Sequence, residues 1–324
     1  MRQRPQYLLE AWARAGHPVY FVDPREDRAR SVDGVTIVPT IRQTPRSGVI
    51  LHIHFAPLRH LIERFDDAVV VYDLLDDLSI YDADEIGVPE GRRVRSHHPI
   101  LMKNADVVTT SNEVLAEKHR RERTDLLLVS NGVDLQAFSQ PAPTPLDLPT
   151  ARPLIGYHGM VSSWFDFDLL EAVAGLRPDW TFALVGPVDA RVEDRVRQLQ
   201  RLPNVAVLGE RPSDAMPAYV QAFDVGAIWF LVNDMTSGVT PLKMYECLAA
   251  DRPCVATPLP GAVAEEAVTV AGTATDFVAA IETSLRTRHD PAPAANRRQA
   301  AEAADWSRRL EPVLERLGGR LYVP

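Results

Sequence analysis

Two doubly wound α/β domains are the fold class this chain predicts, on three observations. Short apolar runs alternate with helical stretches along its length, a proline-dense stretch breaks that rhythm near the middle, and the rhythm then restarts. At 324 residues, with 46% hydrophobic and 24% charged residues, the chain has the size of two ordinary globular domains, each able to bury its own core.

The opening "MRQRPQYLLEAWARAGH" lacks the apolar core of a secretory leader and reads as an amphipathic helix. Strand-like runs follow at 17–24, 48–55, 68–77, 105–111 and 125–132, spaced by helical stretches as the βαβ units of a parallel sheet require. Five prolines in residues 139–153 fix φ and remove donors, which makes "SQPAPTPLDLPTARP" the best boundary in the chain. Domains over 1–142 and 143–304 are expected. The second repeats the pattern at 153–159, 180–187, 204–210, 224–230 and 253–258. Helical patterns at 274–287 and 295–317 close the chain, with 305–324 able to pack back on the first domain.

Composition excludes several classes. The formal charge is −9, and residues 1–140 already hold 18 Lys+Arg against 21 Asp+Glu, so a nucleic-acid partner is not expected. The local basic run "GRRVRSHHPILMK" at 91–103 reads as a solvated helix face. No run approaches the ~18–20 apolar residues of a membrane span, and with no leader a cytoplasmic location is expected. Cys247 and Cys254 share one apolar segment and read as reduced core thiols.

Ligands of open parallel sheets sit beyond the carboxyl ends of the strands, so residues just after each apolar run are the candidates. The stretch "SGVTPLKMYECLAADRPCVAT" (237–257) enters a helix there. Thr240 is expected to cap it and Pro241 to occupy its first turn. A helix start preceded by Ser237 and Gly238 offers N–H groups and a positive dipole end to phosphate. Lys243 is one of three lysines in the chain and can add a point charge to the same phosphates. Glu246, on the same face, has two acceptor oxygens suited to a ribose diol; the bland alternative is a surface ion pair at i, i+3. Asp73, Asp76 and Asp77 close the most apolar strand of the first half, as carboxylates to hydrogen-bond a sugar, orient an acceptor or accept its proton, or as mere caps. His52 and His54 alternate on one strand and read as core or cleft wall, since a zinc site needs more ligands. The "DFD" triplet at 166–168 reads as a helix cap and not as a metal site.

The segments "PNVAVLGERPSDAMPAYVQAFDVGAI" and "PLKMYECLAADRPCVATPLPG" resemble the nucleotide-site region of GT-B glycosyltransferases of the family-4 type, whose donor helix runs PLK-x-YEYLA-x-G-x-PVVAT. "LVSNGVDLQAF" (128–138) is similar to the NGVD-x-x-x-F that ends their first domain, and "IGYHGMVSSWFDFDLLEAVAGLRPDWTFALVGP" to the opening of their second. The resemblance implies two Rossmann-like domains facing a cleft, a nucleotide-sugar on the second, an acceptor on the first, and neither cofactor nor metal. It assigns donor binding to Gly159, Gly238, Val239, Thr240 and Glu246, with Lys243 and Arg211 for the diphosphate and Asn233 or Asp234 as further sugar contacts. Asp73 and Asp76 become the catalytic candidates, near where the family often has a histidine. Three departures stand out. Gly238 replaces a family carboxylate eight positions before Glu246, "GYHGMVSSWF" has neither Arg nor Lys, and the chain starts at a helix, so the first strand of the first domain is expected to be absent.

The function expected is transfer of a sugar from a UDP- or GDP-sugar to a soluble small-molecule or saccharide acceptor, with retention implied by the resemblance. The arginine-rich composition suits a bacterial host. A nucleotide-sugar epimerase, or a catalytically silent binding protein of the same fold, are the competing readings.

Overall fold

The computed structural model describes residues 3–75, 77 and 88–318, with the backbone alone at 88–91. Two compact units form: Gln3–Asn131 together with the segment from Trp306, and Gly132–Asp305.

The first unit opens on α1 (Arg4–Arg14), followed by β1 (Val19–Val22), β2 (Arg30–Val32), β3 (Val35–Val38), β4 (Ile50–Ile53) and β5 (Val69–Leu74). Helix α2 (Val88–Asn104), β6 (Val107–Thr110), α3 (Glu113–His119) and β7 (Leu127–Leu128) complete its main run. Strands β4–β5–β6–β7 form a parallel sheet in sequence order, while β1–β3–β2 form a separate three-stranded piece. No described strand joins the two pieces. Sequence reading misses β2 and β3. They are an antiparallel hairpin turned by Asp33 and Gly34, both at positive φ (51° and 80°), so the Asp-Gly pair was a usable signal.

The second unit holds α4 (Leu135–Ser139), β8 (Leu154–His158), α5 (Phe167–Leu176), β9 (Thr181–Val185), α6 (Glu193–Leu199), β10 (Val205–Gly209) and α7 (Met216–Ala222). It continues through β11 (Val225–Ile228), α8 (Leu242–Ala249), β12 (Cys254–Ala256), α9 (Pro260–Val263), β13 (Val268–Val270), α10 (Ala274–Thr287) and α11 (Pro291–Ala303). Its six parallel strands lie in the order β10–β9–β8–β11–β12–β13, which is the doubly wound 3-2-1-4-5-6 order. Strand direction of travel across the sheet therefore reverses between β8 and β11. Continuous buried runs at both strands fit a sheet covered on both faces. Trp180, Phe182, Phe223, Trp229 and Phe277 fill the core, with Trp229 stacked on Phe277 at 4.7 Å.

Two boundaries differ from expectation. The chain changes unit at Asn131/Gly132 and not at 142/143. Phe138 of α4 is buried in the second core, and the Gln221 side chain donates to the carbonyls of Phe138 and Gln140 and accepts from the Ala142 N–H, so the start of the proline stretch is fastened to the second unit. The helical pattern at 295–317 is two helices, α11 and α12 (Trp306–Leu317), broken at Asp305, where the chain returns to the first unit. There Trp306 stacks on Tyr7 of α1 at 5.8 Å, and Leu310, Val313 and Leu317 are buried.

Candidate active site

The site in the second unit is assembled where strand order reverses. Strand β8 ends at His158, and Gly159 follows at φ 114°, a conformation that glycine adopts without strain. Gly186, after β9, has φ 148°, and a Cβ placed there would lie 2.1 Å from the Gly159 carbonyl oxygen. The two strand ends thus meet backbone to backbone. The loop after β8 is then knitted to both neighbours. Gly159 N–H donates to Val185 O at 2.8 Å and Val161 N–H to Pro187 O at 2.9 Å on one side; Leu231 N–H donates to Trp164 O and Asp166 N–H to Trp229 O, each at 2.8 Å, on the other. Asp166 also caps α5 by accepting from Leu169 N–H at 2.9 Å, so the acidic triplet is a helix start.

Helix α8 brings Lys243 and Glu246 to this place. Lys243 Nζ lies over two aromatic faces, 4.7 Å from the Phe230 ring centre and 5.2 Å from that of Tyr157. Burial draws its pKa down to about 8, against the opposing attraction of Glu246. Glu246 Oε2 lies 2.6 Å from His158 Nε2, with the two side chains 12% and 5% exposed. An exposed surface ion pair is therefore not the setting of either residue. His158 is the site residue that sequence reading missed. Its signal was position alone, as the last residue of an apolar strand just before a glycine.

The helix start differs from expectation. Pro241 is itself the cap residue, in extended geometry, and no side chain caps α8. A residue before proline is pushed to extended backbone, which holds Thr240 away from the first turn; Thr240 instead packs against Gly261, where a Cβ would meet its Oγ1 at 2.5 Å. The N–H groups at the start of α8 consequently keep their positive end without a side-chain cap. The preceding loop is wound around Thr236, whose hydroxyl donates to Leu231 O and accepts from Asn233 N–H, while Val239 N–H donates to Thr236 O at 3.0 Å. Gly238 and Thr240 are buried in this turn and Val239 is half-buried. Arg211 follows the edge strand β10, and Asp147 and Tyr219 take its guanidinium at 2.7–3.1 Å. That fork is committed within the protein.

In the first unit, Asp73 near the end of β5 is fully buried. Arg4 of α1 grips it with two bonds, Nε to Oδ2 at 2.9 Å and Nη2 to Oδ1 at 2.8 Å, and Thr109 Oγ1 donates to Oδ1 at 2.5 Å. His54 Nδ1 is 3.3 Å from Oδ2, and His52 Nδ1 is 3.3 Å from His54 Nε2. Burial works against the charge on Asp73, but Arg4 and the bonds from His54 and Arg4 outweigh it and hold the carboxyl well below its usual range. Burial, with His54 beside it, lowers His52 to about 3 and keeps it neutral. The His52–His54–Asp73 group has ligand-like spacing, yet the guanidinium already occupies the carboxylate and repels a cation. Both oxygens of Asp73 are engaged, so it orders Arg4 and His54 and does not itself face solvent. Asp76 lies outside the described residues, and Asp77 binds Lys118 Nζ at 2.6 Å.

A six-stranded sheet in this order, with a cation and a His-held carboxylate at its switch point, is a Rossmann-like unit. Residues 152–287 match the family model "Glycosyl transferases group 1". A Bacillus subtilis (strain 168) protein named as a teichuronic acid biosynthesis glycosyltransferase, TuaH, is 28% identical over 237 residues, which is 69% of this chain and 60% of that protein. Among solved structures, Anabaena Alr3699/HepE in complex with UDP-glucose aligns with a TM-score of 0.63 at 18% identity, over 81% of this chain and 75% of that one. OtsA without ligand aligns with a TM-score of 0.68 at 12% identity, over 99% and 96%. The fold is accordingly the GT-B class of two Rossmann-like units. Among the described residues no helix is long and apolar enough to cross a membrane.

Proposed function

We propose that the protein transfers a sugar from a nucleoside-diphosphate sugar, UDP being the preferred nucleotide, to a saccharide or small-molecule acceptor, with retention at the anomeric carbon. The observation that carries this reading is the convergence of Lys243, Glu246 and His158 at the β8/β11 switch point of a unit matched by the group 1 family model. The UDP and UDP-glucose held by a fold relative and the glycosyltransferase name of TuaH support it.

In this reading the diphosphate meets the start of α8 and the Lys243 ammonium. A half-buried cation on aromatic faces meets phosphate with little competition from water, so it stabilises charge building on the leaving group. Glu246 accepts from the ribose hydroxyls, and His158, by holding Oε2, fixes the carboxylate's orientation. The sugar lies against the 238–240 turn, where backbone approaches closely because Gly238 has no side chain. Most of the rate enhancement then comes from positioning and electrostatic stabilisation. In the first unit Asp73 acts by positioning Arg4 and His54, and His54, 16% exposed, is the group through which that network can reach a substrate.

Calorimetry against UDP, GDP, dTDP and ADP tests the reading. Binding of UDP, weakened in Glu246→Ala by ~1.5–3 kcal/mol for diphosphate and monophosphate alike, is expected. Failure of all four nucleotides to bind the wild type would overturn it.

A further inference from the structure

We propose that His98, His119 and Glu122 form a site for a divalent transition-metal ion of the zinc type, tying α2 to the end of α3. Nothing in the donor chemistry uses these residues. His98 and His119 are both buried, their rings edge to face at 5.1 Å. His98 Nε2 and both nitrogens of His119 are buried with no hydrogen-bond partner. A buried imidazole nitrogen left unpaired is costly, and one such nitrogen from each ring beside the same carboxylate points to a shared ligand.

The geometry suits a metal. Glu122 Oε2 lies 3.4 Å from His119 Nδ1 and 3.9 Å from His98 Nε2, and one ligand atom from each residue falls within 4.8 Å of the others. Bonds of ~2.0–2.1 Å in a tetrahedron set ligand atoms ~3.4 Å apart, so small side-chain rotations close the set. The turn that places Glu122 beside His119 is fixed by Glu122 N–H donating to His119 O at 2.9 Å. His98 also has the outer partner that metal-bound histidines use: its Nδ1 is 2.9 Å from the Tyr72 hydroxyl. With Nδ1–H donating to that oxygen, the Nε2 lone pair faces the ion. The neighbouring cation Lys118 is held by Asp77 at 2.6 and 2.7 Å. Glu122 is 52% exposed, which provides the entry side and room for water as a fourth ligand. Tyr72 and Asp73 are adjacent on β5 and point to opposite faces, so this site and the Arg4 network lie on different sides of the sheet. Two imidazoles and one carboxylate favour zinc, with cobalt and nickel as congeners.

The test uses the full chain, stripped with a chelator and titrated with Zn2+ alone, then with Co2+ as an optical probe. One equivalent of tightly held zinc, a rise of several degrees in Tm and the visible bands of four-coordinate cobalt are expected. His119→Gln and Glu122→Gln should each abolish all three, and Tyr72→Phe should weaken zinc by ~10–100-fold. Circular dichroism checks that each variant is folded; Glu122, being exposed, gives the variant least able to disturb the core. No stoichiometric uptake by the wild type overturns the proposal, as does uptake unchanged in both Glu122→Gln and the His98→Gln/His119→Gln double variant.

Discussion

Lys243 sits half-buried over Phe230 and Tyr157. Its pKa of about 8 lies below the ordinary 10.5. The ammonium therefore persists at pH 7, and UDP affinity should fall as pH rises through about 8, because the protonated form binds phosphate. Bound phosphate raises the pKa in turn, so proton uptake on binding near pH 8 is expected, measurable by calorimetry in buffers of different ionisation enthalpy. In Lys243→Arg the pH dependence should vanish without full recovery of affinity, since a planar fork replaces a compact ammonium. A pH profile unchanged by that substitution would remove Lys243 from the phosphate site. His158→Ala should weaken the nucleotide less than Glu246→Ala does, ~1 kcal/mol, through a carboxylate no longer oriented.

At the scale of elements, the ends of β8 and β9 and the joint of α1 with β5 each offer a test. Gly186→Ala sets a Cβ against the Gly159 carbonyl at a φ of 148°, so the two strand-end loops must part. A loss of ~1–3 kcal/mol in stability together with weaker UDP binding is expected; unchanged values for both would show that the loops yield freely. Asp73 and Arg4 are a buried pair, 0% and 5% exposed at the side chain. Removing the charge in Asp73→Asn leaves the buried Arg4 guanidinium without its counter-charge and should cost ~3–5 kcal/mol. The folded pKa of Asp73 is below its usual 3.8, so its contribution is present above pH ~4 and is lost as pH falls through the lower folded value. Acid unfolding of the wild type followed by circular dichroism should show that slope, and Asp73→Asn should flatten it.

For the whole molecule, the placement of ligand-type clusters separates structure from chemistry. Both His/Asp/Glu groups with metal-ligand spacing among the described residues lie in the first unit, and the described residues of the second have none. Sugar transfer per folded molecule should therefore survive exhaustive chelation even where Tm falls. Activity lost to chelator and restored by magnesium or manganese, with Tm unchanged, would refute a metal-independent transfer step.

Periodicity and motif spacing were enough to establish ten of the parallel strands, the acidic charge balance and the α8 stretch with Lys243 and Glu246, because these depend on local pattern and on short segments that carry chemistry at fixed offsets. What local pattern could not reach was decided by contacts distant in sequence. His158 and Glu246 are 88 positions apart and meet only because β8 lies beside β11 at the switch point. Arg4 and Asp73, 69 apart, meet because the start of α1 reaches the end of β5, which turned a candidate catalytic acid into a buried anchor. The unit boundary at Asn131/Gly132 and the break at Asp305 were likewise set by which core Phe138 and Trp306 enter. A residue's type and its neighbours in the chain determine which bonds it can make, but only packing determines whether the partner or the solvent is there to make them.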